Sequence, residues 1–128
     1  MAEFGFPKTS RLLNATDYKA VFGNAQLKVS CRHFLVLANR NTRFSARLGL
    51  VIAKKNVTLA VQRNRIKRQL RVAFRHNKEL LHMLDIIVMA RKDADKLNNE
   101  ELIDTIDSLW KDLHAKMVRA GAKIYDHR

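Results

Sequence analysis

The chain has 128 residues, 47% of them hydrophobic, and a formal net charge of +13 at pH 7. That length gives one domain, and that apolar content excludes a simple disordered basic tail. The single cysteine excludes an internal disulfide, and no apolar run approaches the ~18 residues that span a bilayer.

Residues 1–8 lack a charged stretch followed by an apolar one, so no signal peptide is expected. A soluble cytoplasmic protein is expected, with Cys31 packed as a small apolar residue. Residues 1–10 read as an extended arm. Asn14 or Thr16 caps a short helix whose Tyr18, Val21 and Phe22 recur at helical spacing, and Gly23 closes it. Residues 27–39 read as a strand, with a continuous apolar run from 34 to 38 and room for a further short strand within 25–32. A turn at 39–42 leads to a second strand over 45–54, and the two strands are expected to pair as antiparallel neighbours.

The longest regular pattern is a helix over 57–77. Leu59, Ile66, Leu70, Ala73 and Phe74 form its apolar stripe, and Asn64, Lys67, Arg68, Arg71 and Arg75 gather on the opposite side. Arg63 and Arg65 flank the edges. Residues 86–90 read as a buried strand. A last helix begins near Asn98 or Asn99, with stripe Leu102, Ile106, Leu109, Leu113 and Met117; Trp110 beside it reads as packing. Residues after about 118 read as a flexible end. The order α-β-β-α-β-α predicts a single-domain α+β fold, an α/β sandwich with a mostly antiparallel central sheet packed with three helices.

Charge is segregated along this order. Residues 18–78 carry fifteen Lys/Arg and no Asp/Glu, whereas residues 79–128 carry eight Lys/Arg against ten Asp/Glu. A face of one sign points to a polyanion, and nucleic acid fits best. An ordinary solvated helix face mixes signs in pairs four apart; this one keeps its like-charge repulsion. Lys54 and Lys55, at the end of the second strand, extend the basic surface. Tyr18 and Phe22, four apart, are either core or a platform on which single-stranded bases stack.

Catalytic parts are missing from the pattern. The five histidines show no metal-ligand spacing, the basic window holds no carboxylate for Mg²⁺, and no glycine-rich phosphate loop exists. The chain reads as a binder of a polyanion that lacks the parts to cut one by itself. A structural RNA-binding protein, such as a ribosomal protein, is the alternative on composition. A stand-alone nuclease and a DNA binder have less behind them.

The run Arg63-Asn64-Arg65-Ile66-Lys67-Arg68, preceded by Gly49-Leu50-Val51-Ile52-Ala53-Lys54-Lys55-Asn56, resembles the signature of the bacterial ribonuclease P protein subunit. Arg11-Leu12-Leu13 with Tyr18, Val21 and Phe22 is similar to that family's first helix, and residues 85–91 to its last strand. The resemblance covers roughly residues 6–115. It implies a non-catalytic subunit of an endoribonuclease whose catalyst is an RNA. That RNA removes the 5′ leader of precursor tRNA with Mg²⁺, held mainly by RNA. It implies that Arg63, Asn64, Arg65, Lys67, Arg68 and Arg71, with Lys54, dock on the catalytic RNA. The leader would lie against Tyr18, Phe22, Leu35, Leu37, Val51, Ala53 and Lys55, with a leucine at 37 where some relatives carry an aromatic. It further implies a left-handed strand–helix–strand crossover over residues 45–91, against the usual hand, and no required protein oligomer or membrane.

Overall fold

The computed structural model describes residue 11, residues 15–42 and residues 45–126. The expected arm at 1–10, Leu12, Leu13 and the candidate cap Asn14 lie outside the described residues. Helix α1 spans Ala15–Gly23. Strands β1 (Leu27–Ser30) and β2 (Phe34–Arg40) follow, then β3 (Arg47–Val51). Helix α2 runs over Ala60–His76, β4 over Leu84–Ala90 and α3 over Asn99–Asp126, with a 3-10 turn at Ala94–Lys96 before α3. The α+β class is the one expected from the sequence, and β1 is the further short strand for which residues 25–32 left room.

The sheet order is β1-β2-β4-β3, with two antiparallel ladders and one parallel ladder between β3 and β4. This corrects two expectations. Residues 27–39 are a hairpin rather than one strand, closed by Cys31 N–H donating to the Phe34 carbonyl at 2.9 Å. The strands at 34–40 and 47–51 run in opposite directions but are not neighbours, because β4 lies between them. The physical reason is visible in β4 itself. Its Leu84, Ile86, Ile87, Val88 and Ala90 are all buried, so apolar side chains leave both faces and the strand belongs in the centre. The connection from Arg40 to Arg47 is long enough to step over one strand, whereas a two-residue turn would force adjacency.

The two sheet faces do different work. Even-numbered residues of β2 (Phe34, Val36 and Ala38) join Leu48, Ile86 and Val88 in the main core beneath α2 and α3. Helix α2 contributes Ile66, Leu70 and Phe74, and α3 contributes Leu102, Ile106, Leu109 and Leu113. Trp110 is buried and meets Phe74 edge-on, with centroids 6.2 Å apart at 67°. Leu59, expected on the buried stripe, is 64% exposed because α2 starts after it and Leu59 serves as an extended N-cap residue. Helix α3 begins as its sequence suggests. Asn98 Oδ1 accepts from Glu101 N–H at 2.8 Å, and Glu101 Oε1 accepts from Asn98 N–H at 2.9 Å, a reciprocal capping box.

Helix α1 occupies the opposite face. Val21 packs on Ile87 there, surrounded by Tyr18, Leu37, Val51 and Met89. This second core is small, and the side chains around it are only partly buried. Among the described residues no helix is long and apolar enough to cross a membrane.

Candidate nucleic-acid interface

The outward side of α2 carries the expected charge. Asn64, Arg68, Arg71 and Arg75 are exposed and Lys67 is half-exposed. From Asn64 to Arg75 the helix rises about 16 Å. The side chains of Asn64, Lys67, Arg68 and Arg71 engage no other described residue by hydrogen bond or ion pair. Their donors are therefore available, and the arginines present a planar fork suited to phosphate oxygens.

Arg63 and Arg65 sit differently. Arg63 Nη1 donates to the carbonyls of Val57 (3.0 Å) and Thr58 (2.7 Å), which ties α2 to its own leading loop. Arg65 turns toward α3. Its Nε donates to Gln62 Oε1 at 2.8 Å and its Nη1 to Asn99 Oδ1 at 2.8 Å. Its Nη2 reaches the carbonyls of Asp95 (3.1 Å) and Leu97 (2.9 Å). Arg65 thus holds the 3-10 turn and the start of α3 against α2. A helical wheel gives the direction of Arg65 but not the turn that comes to meet it.

The second site lies on the other face. Tyr18 and Phe22 stack with centroids 6.4 Å apart at 26°. Tyr18 is half-buried on the small core, while Phe22 is 45% exposed. Leu35 and Leu37 of β2 and Val51 of β3 share this face by strand alternation, as do Ile87 and Met89 of β4. The alternation stops at Val51. Ala53 and Lys55 lie beyond β3, where Val57 N–H and Asn56 N–H both return to the Ala53 carbonyl at 3.0 Å. Lys54 and Lys55 are exposed on that turn. Asn56 Nδ2 donates to the Ala90 carbonyl at 2.9 Å, and Arg91 N–H to the His33 carbonyl at 2.8 Å. These bonds bring exposed Arg91, Lys92 and Arg32 to the same end of the sheet as Lys54 and Lys55.

Several residues to which the sequence assigns no such role set the position of α1. Arg47 is buried and donates from Nε and Nη2 to the Asp85 carboxylate at 2.9 and 2.7 Å. It also faces Asp17 of α1 at 3.6 Å. The Asp85 hydrogen bond raises the Arg47 pKa above its ordinary value; burial opposes this, and the charges of Asp85 and Asp17 reinforce it. Asn41 Nδ2 adds a bond to Asp85 Oδ1 at 2.8 Å. Farther along α1, Asn39 Nδ2 donates to the Ala20 carbonyl at 3.0 Å. Gly49 supplies the seat for Tyr18, because a Cβ there would lie 2.8 Å from Cε1, Cζ and Oη of that ring. Only a residue without a side chain lets the tyrosine lie so close to β3.

One sheet therefore carries an open basic helix on one side and an aromatic-lined face with a basic rim on the other. Residues 6–114 match the model of the Ribonuclease P family. The chain belongs to this family. It is 50% identical over 113 residues to the Ribonuclease P protein component of Pseudomonas aeruginosa, covering 88% of this chain and 84% of that one. It is 48% identical over 110 residues to the component from Marinobacter nauticus, covering 86% and 83%. The fold matches the RNase P protein of Staphylococcus aureus with a TM-score of 0.74 at 30% identity, covering 81% of this chain and 94% of that one. The Thermotoga maritima RNase P protein gives 0.69 at 27% identity, covering 82% and 96%. Membership in the ribonuclease P family sets aside the ribosomal-protein alternative, and the protein is a subunit of a ribonuclease P holoenzyme. No group of His, Cys, Asp and Glu among the described residues is arranged to hold a metal ion.

Proposed function

We propose that the exposed face of α2 docks on the catalytic RNA of ribonuclease P, while the face beneath α1 holds the 5′ leader of precursor tRNA. The observation that carries this reading is the placement of α1 and α2 on opposite sides of one sheet, each with unengaged groups of its own chemistry. Asn64, Lys67, Arg68 and Arg71 meet phosphates of the catalytic RNA, with Arg63 and Lys54 at the margins. Arg65 serves this surface as a positioning residue through its bonds to Asp95, Leu97 and Asn99. On the other face Phe22 stacks on a leader base beside Tyr18. Leu35, Leu37, Val51 and Ala53 give apolar contact to sugars and bases, and Lys55 meets a phosphate.

The chemistry belongs to the RNA. The α2 face carries no carboxylate, and the Mg²⁺ of the reaction is held mainly by the RNA. The protein's positive surface lowers phosphate repulsion where the two RNAs meet, so less Mg²⁺ is needed. Only the precursor has a leader, so gripping the leader separates substrate from product. The setting is the cytoplasm, where Cys31 stays reduced.

Two results test the division of labour. Phe22→Ala is expected to leave affinity for the catalytic RNA unchanged and to cut the preference for precursor over mature tRNA by about tenfold, the worth of one stacked base. An unchanged preference removes Phe22 from the leader site. Arg65→Ala is expected to cost about 2 kcal/mol of folding stability, since its charged hydrogen bonds go to the protein's own loop. Arg68→Ala is expected to cost stability nothing measurable. Urea unfolding of both variants checks this, and equal stability of the two would contradict the clamp role of Arg65.

A further inference from the structure

A further cationic feature lies at the edge of the sheet, apart from the α2 face and the basic rim. A groove of about 420 Å³ runs between the free edge of β1 and the C-terminal half of α3, lined by Lys28, Val29, Ser30, Asp112, Ala115, Lys116 and Arg119. Lys28, Lys116 and Arg119 are all exposed, and Asp112 is the one acid among the lining residues. The Lys116 ammonium donates to the Lys28 carbonyl, which caps the edge of β1 and holds the Lys116 cation against that strand.

The composition of α3 changes at this point. From Glu100 to Asp112 the helix carries five acids and one lysine; between Asp112 and Asp126 it carries Lys116, Arg119 and Lys123 and no acid. The family match ends at residue 114, so Lys116 and Arg119 lie beyond it. Charges on an edge strand also discourage edge-to-edge pairing, but that role needs no matching cations on a neighbouring helix.

The register places this groove beside the leader face. Lys28 pairs with Leu37 and Ser30 with Leu35 across the β1–β2 ladder. Alternation puts Lys28 and Ser30 on the same face as those two leucines, one strand spacing of about 4.8 Å away. A single strand lying across Leu35 and Leu37 reaches Lys28 next, and on rounding the free edge of β1 it meets Lys116, whose ammonium sits on the Lys28 carbonyl, and then Arg119.

We propose that this groove binds the phosphate backbone of the distal part of the precursor tRNA leader, beyond the nucleotides held beneath α1. The proposal rests on the leader reading given above. Its ligand is a single-stranded RNA backbone, met by three cations without base selection.

The test uses the reconstituted holoenzyme and three tRNAs: one without a leader, one with a leader of about four nucleotides and one with about sixteen, the range that single-strand grooves occupy. Wild-type protein is expected to tighten binding at each lengthening. The variant Lys28→Gln/Lys116→Gln/Arg119→Gln is expected to keep the first gain and lose roughly tenfold on the longest leader, with its salt slope reduced by about two units. Lys28→Gln alone, which removes no hydrogen bond made by the Lys28 side chain, is expected to lose a few-fold in the same direction. A triple variant that keeps both gains overturns the proposal. So does a loss that falls on the catalytic RNA instead, which would place that RNA in the groove. A wild-type protein that gains nothing from the short leader removes the reading of the α1 face, and the groove proposal falls with it.

Discussion

Asp85→Ala is expected to destabilise the protein by about 3–5 kcal/mol, the largest single-residue effect on stability expected here. Arg47 is 9% and Asp85 14% exposed at the side chain, and the two meet through a two-pronged pairing. Removing the carboxylate leaves a largely buried guanidinium without its two-pronged acceptor. Asp17, at 3.6 Å from Nη1, makes a longer contact than the two lost and offsets only part of them. A domain of this size has a total stability of about 5–15 kcal/mol, so the loss is a large share of it. Urea unfolding should show a lower midpoint at unchanged slope. Asp85→Asn, which keeps one acceptor, should fall between. Because Arg47 titrates above its ordinary value, its contribution is present throughout the neutral range and is lost only in strong alkali. The functional consequence follows from position: the same network faces Asp17, so loosening it frees the start of α1 and the Tyr18–Phe22 pair.

Lys67→Gln/Arg68→Gln/Arg71→Gln should have the opposite profile. Stability should stay within about 0.5 kcal/mol of wild type, since these side chains reach solvent and their mutual repulsion is relieved. Affinity for the catalytic RNA should fall by roughly two orders of magnitude at physiological salt. The salt slope should flatten by about two to three units, because each cation removed leaves one phosphate with its own counterion. Binding curves at several salt concentrations separate the two signs of outcome. Full affinity with an unchanged slope would mean that α2 faces water and not RNA.

The helices were largely legible in the sequence because their signals are local. The period of Ile66, Leu70 and Phe74 fixed the buried side of α2, and the acid-free window fixed the character of the other side. Asn98 and Glu101 announced the start of α3. The sheet was less legible, because pairing joins residues far apart in the chain. The apolar run of β4 says that both its faces are covered, but not that it lies between β2 and β3. The same limit hid the site's supports. Arg47, Asp85 and Asp17 are far apart in sequence and meet only once β3 and β4 align at the Arg47–Asp85 register. Gly49 reads as one small residue in a strand until Tyr18 comes down on it. Arg65 falls at the edge of the basic face on a wheel, which records angle alone, and it is the turn at Ala94–Lys96 that engages it.

The division of one sheet between two RNAs is tested most directly by crosslinking from each face. In a Cys31→Ser background, single cysteines placed by Arg68→Cys and Phe22→Cys carry a photoreactive group into the holoenzyme assembled with precursor tRNA. The expected result is that position 68 marks the catalytic RNA and position 22 marks the leader. Adducts from both positions on the same RNA, or an exchange of targets, would contradict it.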